Sequence, residues 1–263
     1  MSIFHDLADI EKRGESCALC TIISSSGSTP RHVGSKMLVY PDGRISGSVG
    51  GGEAESRVID EAKASLIDGK ARKLQYSFVD PAKGDVGICG GQVEVFVEPI
   101  LPHATLVVVG GGHVGRAVLH IARWLGYRTI VSDDRPEFCT PEANPDADEF
   151  IAAPMSEIPN RLAINSMTFI VLTTRGTTVD VAGLPALLKT KPAYIGVIGS
   201  RRRWAMTRKA LLEAGVDERA VSEVHSPLGL EINAETPEEI AISIMAEIIM
   251  LRQGGTGKAM SLD

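Results

Sequence analysis

Residues 105–115 read TLVVVGGGHVG, and their reading decides the fold. An apolar run ends on three glycines with the spacing Gly110-x-Gly112-x-x-Gly115, and residues 116–125 then show helical periodicity. Strand, tight turn and helix in that order open a dinucleotide-type βαβ unit. In such a unit the first glycine makes the turn, the second lets backbone approach a pyrophosphate, and the third lets the helix pack on the strand. The helix start presents unpaired N–H groups and the positive end of its dipole to an anion, which makes Gly110, Gly112, His113 and Gly115 candidate ligand contacts. A second strand, residues 127–132, ends at Asp133, a carboxylate placed to accept hydrogen bonds from ribose hydroxyls. The plainer reading is a sheet-to-helix turn whose glycines serve packing alone.

Strand and helix patterns continue to alternate downstream. Strands are expected over residues 149–152, 167–174, 194–199 and 220–224, and helices over 180–189, 201–214 and 237–253. This alternation predicts a parallel sheet with right-handed crossovers. Thr236-Pro237-Glu238-Glu239 carries a capping-box signature, and the helix it opens is apolar nearly all round, so burial on more than one side, with a homodimer as one source, is expected. Ligands of such sheets bind beyond the carboxyl ends of the strands. That rule selects Ser200 and Arg201, which offer a hydroxyl and a guanidinium at a helix start, and His225 as an acid, base, orienting donor or structural group. Of the three adjacent arginines 201–203, Arg201 is the expected ligand contact and the other two a solvated or partner-facing surface.

The first hundred residues read differently. An amphipathic helix (3–12) precedes a strand (17–24), a loop rich in small hydroxyl residues (25–34) and a hairpin turning at Pro41-Asp42-Gly43. Gly50, Gly51 and Gly52 then lead into a helix that Gly69 ends, with Glu53 in its first turn either capping it or facing a ligand. Strands at 72–78 and 92–98 complete an α+β domain with a small antiparallel sheet, and between them Cys89 sits in the glycine-flanked GICGG as a candidate ligand-binding thiol. Cys17 and Cys20 form a CxxC, yet on a strand they point to opposite faces, so they read as structural. No residue is expected to hold a metal. The chain is therefore expected to be α/β in two domains, an N-terminal small α+β domain (1–100) followed by a Rossmann-like parallel-sheet domain (104–255), with a ligand cleft where they dock.

Bulk properties narrow the classes. With 263 residues, 44% hydrophobic and 23% charged, the chain supports folded domains with real cores. A net charge of −6 argues against a nucleic-acid binder, and no segment has the length or apolarity of a signal peptide or membrane span, so a cytoplasmic protein without membrane or nucleic-acid partners is expected.

Longer motifs carry more than the glycine fingerprint. SSSGSTPRHVGSKMLVYPDGRISGSVGGGEAE and GICGGQVEVFVEPI resemble the first domain of the XdhC/CoxI family, and VVVGGGHVGRAV, VSDDRPEF, YIGVIGSRRR and VHSPLGLEINAETPEEIAISIMAEII resemble its Rossmann domain. The resemblance implies an accessory protein of a molybdenum hydroxylase such as xanthine dehydrogenase. It implies binding of the molybdenum cofactor (molybdopterin), support for its sulfuration with a cysteine desulfurase or cofactor-biosynthesis protein, and delivery to the hydroxylase apoenzyme. Such a role is that of a maturation factor rather than an enzyme. The glycine turns and Arg201 would hold the anionic end, with Cys89 near the metal end. The competing readings are an NAD(P)-dependent oxidoreductase, with NAD or another nucleotide on the 110–115 turn, and an interaction scaffold without a ligand.

Overall fold

In the computed structural model, residues 3–77 and 90–261 are described, and they form two compact units, 1–102 and 103–263. The first unit holds α1 (Ile3–Arg13), β1 (Cys17–Ser26), β2 (Lys36–Val39), β3 (Ile45–Gly47), α2 (Gly52–Asp68), β4 (Arg72–Ser77) and β5 (Gln92–Ile100). Its five strands lie in the order β3-β2-β1-β5-β4, with every pairing antiparallel. The side-chain period of a strand places alternate residues of β1 on opposite faces. Ala18, Cys20 and Ile22 accordingly pack with Ala54, Val58 and Ala62 of α2, while Cys17 packs with Ile10 of α1 and Leu38. The two thiols of the CxxC thus belong to two different cores, as strand geometry requires. Burial pushes Cys17 up to about 11 and Cys20 up to about 12, so both stay protonated.

The second unit is organised on β6 (Thr105–Val109), buried along its whole length. It is followed by α3 (His113–Trp124), β7 (Arg128–Asp133), β8 (Glu149–Ala152), α4 (Ile158–Arg161), β9 (Thr168–Leu172), α5 (Thr177–Leu188), β10 (Tyr194–Val197), α6 (Arg201–Glu213), α7 (Glu218–Ser222) and α8 (Pro237–Gln253). The sheet order is β10-β9-β6-β7-β8 and all four pairings are parallel. The chain therefore starts at the centre, moves out through β7 and β8, and returns to the other side of β6. Leu106 and Val108 face a core built with Val118, Leu119 and Ala122 of α3 and Ala241, Ile244, Met245 and Ile248 of α8. Val107 and Val109 face the opposite core, with Leu184 and Leu187 of α5 and Leu211 of α6. Helices on both faces explain why β6 is a continuous apolar run rather than an alternating one. Each of these fully buried Leu and Ile side chains contributes roughly 1.5–3 kcal/mol.

One expected strand is absent from this sheet. Residues 220–224 fall in and just after α7, because Asp217 accepts hydrogen bonds from Arg219 N and Ala220 N at 2.7 and 3.2 Å and starts a helix there. Val221 and Val224, three apart, both reach the α5/α6 core, which suits a helical turn and not a strand. What remains of sheet pairing is a single parallel bridge between Gly196 and His225. The last helix carries the expected capping box: Thr236 Oγ1 accepts from Glu239 N, and Glu239 Oε2 accepts from Thr236 N. It packs chiefly on α3 and the sheet, while Ile242 and Leu251 remain exposed.

Candidate functional site

The carboxyl ends of β6, β7, β8 and β9 meet at one edge of the parallel sheet, where the 110–115 turn lies. Gly110 has φ 112°, and a Cβ there would sit 2.6 Å from Thr173 O, so only glycine closes the turn against β9. A Cβ on Gly115 would fall 2.0 Å from Gly110 O, which makes it the close-packing glycine of the motif. Gly112 is different: its φ is −72° and open space surrounds the position of a Cβ. It precedes α3 with no side-chain cap, so the first N–H groups of that helix, from His113 on, are left to an external partner.

Asp133 does not stand ready for a ribose. It is 4% exposed; its Oδ2 accepts from Gly111 N at 3.0 Å and from Arg135 Nη2 at 2.9 Å, and its Oδ1 accepts from Arg135 N and Nε. The carboxylate is a brace that ties the glycine turn to the end of β7. The neighbouring Asp134 is more open and forms a bidentate pair with Arg175, 2.6 and 2.7 Å, joining the loop after β7 to the loop after β9. That pair holds the Asp134 carboxyl well down, at about 2.

Beneath these loops is a cavity of about 210 Å³. Its wall is Val109, Gly110, Ala153, Pro154, Met155, Val179, Ala182 and Gly183, and its rim carries Asp133, Asp134, Arg135, Ser156, Thr174, Arg175 and Thr178. Gly183 is required here, since a Cβ would meet Met155 Cβ at 2.5 Å.

Arg203, expected on a solvated or partner-facing surface, instead enters this edge. Its Nη2 donates to Thr174 Oγ1 at 2.8 Å and to Asp180 Oδ2 at 2.7 Å, and its Nη1 donates to Thr174 O. Asp180 is fully buried and also accepts from Thr174 Oγ1. Arg201 and Arg202 are exposed. Helical geometry decides this: Ser200 Oγ caps α6 by accepting from Arg203 N, and a residue three after the cap points back towards the sheet.

His225 lies on a separate network beyond β10. Its Nδ1 is 3.1 Å from Glu247 Oε1 and its ring is 4.7 Å from that of Tyr194. Glu247 also accepts from Tyr194 Oη and from Gly229 N, each at 2.7 Å. Burial raises the Glu247 carboxyl, but His225, Gly229 N–H and Tyr194 Oη outweigh it and hold it below its ordinary value. This histidine ties α8 to the sheet end and is a structural group in this network.

In the first unit, the turn at Gly50, Gly51 and Gly52 already holds an anion, the chain's own Glu55. Glu55 Oε2 accepts from Ser48 Oγ at 2.6 Å, Val49 N at 3.0 Å and Gly51 N at 3.1 Å. Glu53, expected to cap or to face a ligand, instead accepts from Arg57 at 2.6 Å on the exposed side of α2, and Gly51 at the cap position has no side chain with which to cap the helix. Gly50 approaches Pro30 of the 25–34 loop, and the same loop packs on its other side against Gly90 and Gly91: a Cβ on Gly91 would be 2.3 Å from Ser28 O, and one on Gly27 2.7 Å from Gly90 O. Cys89 lies outside the described residues. Among the described residues, no group of three or more His, Cys, Asp or Glu side chains is placed to hold a metal ion, and no helix is long and apolar enough to cross a membrane.

Comparison with known proteins agrees with both units. The XdhC Rossmann domain matches residues 106–248, and the XdhC and CoxI family model matches residues 10–77. The chain is 35% identical to YqeB of Escherichia coli K12 over 99% of its own length and 48% of that protein's. It is 33% identical to a probable subunit of xanthine dehydrogenase from Bacillus subtilis over 60% of the chain and 46% of that protein. The chain thus spans about half the length of these two relatives. The molybdenum cofactor insertion chaperone PaoD of Escherichia coli K12 is 23% identical over 91% of the chain and 84% of its own length. A crystal structure from Bacillus halodurans, described as a xanthine dehydrogenase, has the same fold, with a TM-score of 0.52, 24% identity, and coverage of 99% of this chain and 98% of that one. The chain belongs to the XdhC/CoxI family.

Proposed function

We propose that this chain is an accessory factor that receives the molybdenum cofactor, supports its sulfuration, and delivers it to the apoenzyme of a molybdenum hydroxylase such as xanthine dehydrogenase. The observation that carries this reading is the family match in both units, joined to a relative that is an insertion chaperone and aligns over 84% of its own length. The cofactor is cargo here, and the chemistry asked of the chain is to bind, shield and release it. The phosphate of the pterin goes to the open N–H groups after Gly112, where His113 begins α3 and Gly110 and Gly115 keep the turn closed beneath it. Ser200 and Arg201 lie at the head of α6, where Arg201 is free to meet an anion as Arg203 is not. Cys89 is the thiol proposed for the metal end, next in sequence to the glycines that pack on the 25–34 loop. The sulfur donor would be a cysteine desulfurase or cofactor-biosynthesis protein, and a cytoplasmic homodimer suits this role.

Loading the purified protein with molybdenum cofactor, measuring bound molybdenum by mass spectrometry and then activating an apo-hydroxylase tests the proposal. Stoichiometric molybdenum and faster activation than by free cofactor are expected, with both reduced in Cys89→Ser. NAD(H) is titrated in parallel. Tight NAD(H) binding with no molybdenum retained would replace this reading by the oxidoreductase one, and retention of neither would leave the scaffold.

A further inference from the structure

We infer that the chain pairs with a second copy of itself through two charge-complementary surfaces of the second unit, the outward side of α6 on one copy and the head of α8 on the other. This supplies a contact for the homodimer that the accessory role suits, and it is tested on the chain alone, without cofactor.

Charge is segregated along the second unit. No Asp or Glu stands between Asp180 and Glu213, a stretch that holds Lys189, Lys191, the arginines 201–203, Arg208 and Lys209. No Lys or Arg stands between Arg219 and Arg252, where Glu231, Glu235, Glu238 and Glu239 gather before α8 and in its first turn.

Arg202, Met206 and Lys209 follow one another at spacings of four and three, so they share one side of α6, and all three are exposed. Met206 is 58% exposed, an apolar side chain set between two cations. Arg202 has no carboxylate partner among the described residues, and Lys209 has only Glu213 of its own helix, 3.7 Å away in an exposed pair. Arg201 is not needed for this contact.

The head of α8 has the opposite character. Glu231, Glu235 and Glu238 are exposed and have no cation partner among the described residues, whereas Glu239 is taken up by the capping box. Ile242 follows Glu238 by one turn on the same side and is 53% exposed. Ile232, 52% exposed, belongs to the same surface: Leu230 N donates to Ser243 O and Ser243 Oγ donates to Leu230 O, which lays the chain at 230–232 beside the start of α8.

Unpaired charges of opposite sign, each set around exposed apolar side chains, fit one another. Facing across an interface they steer association and fix its register, while Met206, Ile232 and Ile242 lose water at its centre. The two surfaces also flank one edge of the sheet. Leu211 of α6 shares a core with Ile195 and Val197 of β10, Ile244 and Ile248 of α8 share the opposite core with Tyr194, and β10 is the edge strand. A two-fold axis beside that edge forms the α6–α8 contact twice and closes the pair.

Sedimentation velocity of the full chain tests this with two charge-reversal variants. Arg202→Glu with Lys209→Glu makes both surfaces acidic, and Glu235→Lys with Glu238→Lys makes both basic. The parent is expected to be a dimer that dissociates as salt rises. Each variant alone should associate at least about tenfold more weakly, and their equimolar mixture should regain the dimer because opposite surfaces meet again. A parent that stays monomeric, variants that dimerise like the parent, or a mixture that stays monomeric overturns the contact. All four positions are exposed, so the fold should be kept. Should a reversal variant melt lower than the parent, Met206→Ser with Ile242→Ser probes the same contact without reversing charge, and an unchanged dimer there overturns it. Molybdenum retention by the parent bears on the cargo reading alone, so the two fail independently.

Discussion

Arg203 donates to Asp180 across 2.7 Å, joining α6 to α5 through a carboxylate that no solvent reaches. Thr174, just after β9, bonds both partners, so β9, α5 and α6 are tied at one point. Replacing Arg203 by Ala leaves a buried carboxylate without its cation and should cost about 3 kcal/mol of stability. Arg201→Ala, on the exposed side, should stay within about 0.5 kcal/mol. Urea denaturation midpoints of the two variants separate these outcomes, and equal midpoints would refute the assignment.

Gly112 and Gly115 belong to one motif and should respond oppositely to alanine. At Gly115 the added methyl would meet Gly110 O at 2.0 Å, so the turn must open and the unit should lose roughly 3 kcal/mol or more. At Gly112 the backbone already has an ordinary φ and the surroundings are empty, so Gly112→Ala should fold within about 0.5 kcal/mol of the parent. Its methyl nonetheless stands where an anion would approach, and pyrophosphate affinity should fall. Thermal melting paired with titration reads both effects.

Glu55, not Glu53, should govern the stability of the first unit at the 50–52 turn. Glu55→Ala leaves Val49 N, Gly51 N and Ser48 Oγ without their acceptor, an expected cost of about 1–2 kcal/mol. Glu53 forms only an exposed pair with Arg57, so Glu53→Ala should cost under about 0.5 kcal/mol. Guanidinium denaturation of each variant, followed by circular dichroism, makes the comparison.

Acid should weaken the second unit through Glu247. Its folded carboxyl titrates below its ordinary value of 4.5, so its contribution is complete above pH 4.5 and is lost as pH falls through the depressed folded value. In Glu247→Gln the charge is gone, and the amide keeps its oxygen for Gly229 N–H and Tyr194 Oη while turning its NH2 to His225 Nδ1, so charge-assisted bonds become neutral ones at an expected cost of about 1 kcal/mol at neutral pH. The variant should also show a flatter loss of stability below pH 4.5 than the parent. Parallel slopes would refute the role given to this carboxylate.

Much of the fold was legible because local signals agreed. The run 105–109 followed by glycines at 110, 112 and 115 could hardly be anything but strand, turn and helix, and the capping box at Thr236 and Glu239 named the start of α8 outright. The 220–224 segment misled because a run this short shows no clear period, and that Val221 and Val224 share one core, as a helical turn requires, is visible only in the fold. The cap of α7 was visible as Asp217 before Glu218, a signal that a helix start could have been read from.

The candidate site was legible as a set of turns but not as a set of contacts. Residue type and spacing alone predicted an antiparallel α+β unit and a parallel-sheet unit, and the long motifs carried the resemblance to the XdhC/CoxI proteins, whereas the contacts that make Gly110 and Gly115 steric necessities are tertiary. Tertiary structure decided which charges are free. Asp133 is consumed by Gly111 and Arg135, Glu55 fills the turn that Glu53 was expected to serve, and Arg203 rather than Arg201 points inward. The physical reason is that a charge buried at a sheet edge must be paired, and its partner is chosen by which backbone groups and side chains the fold brings within about 3 Å. Neighbours in space settle that choice, and a sequence lists only neighbours in the chain.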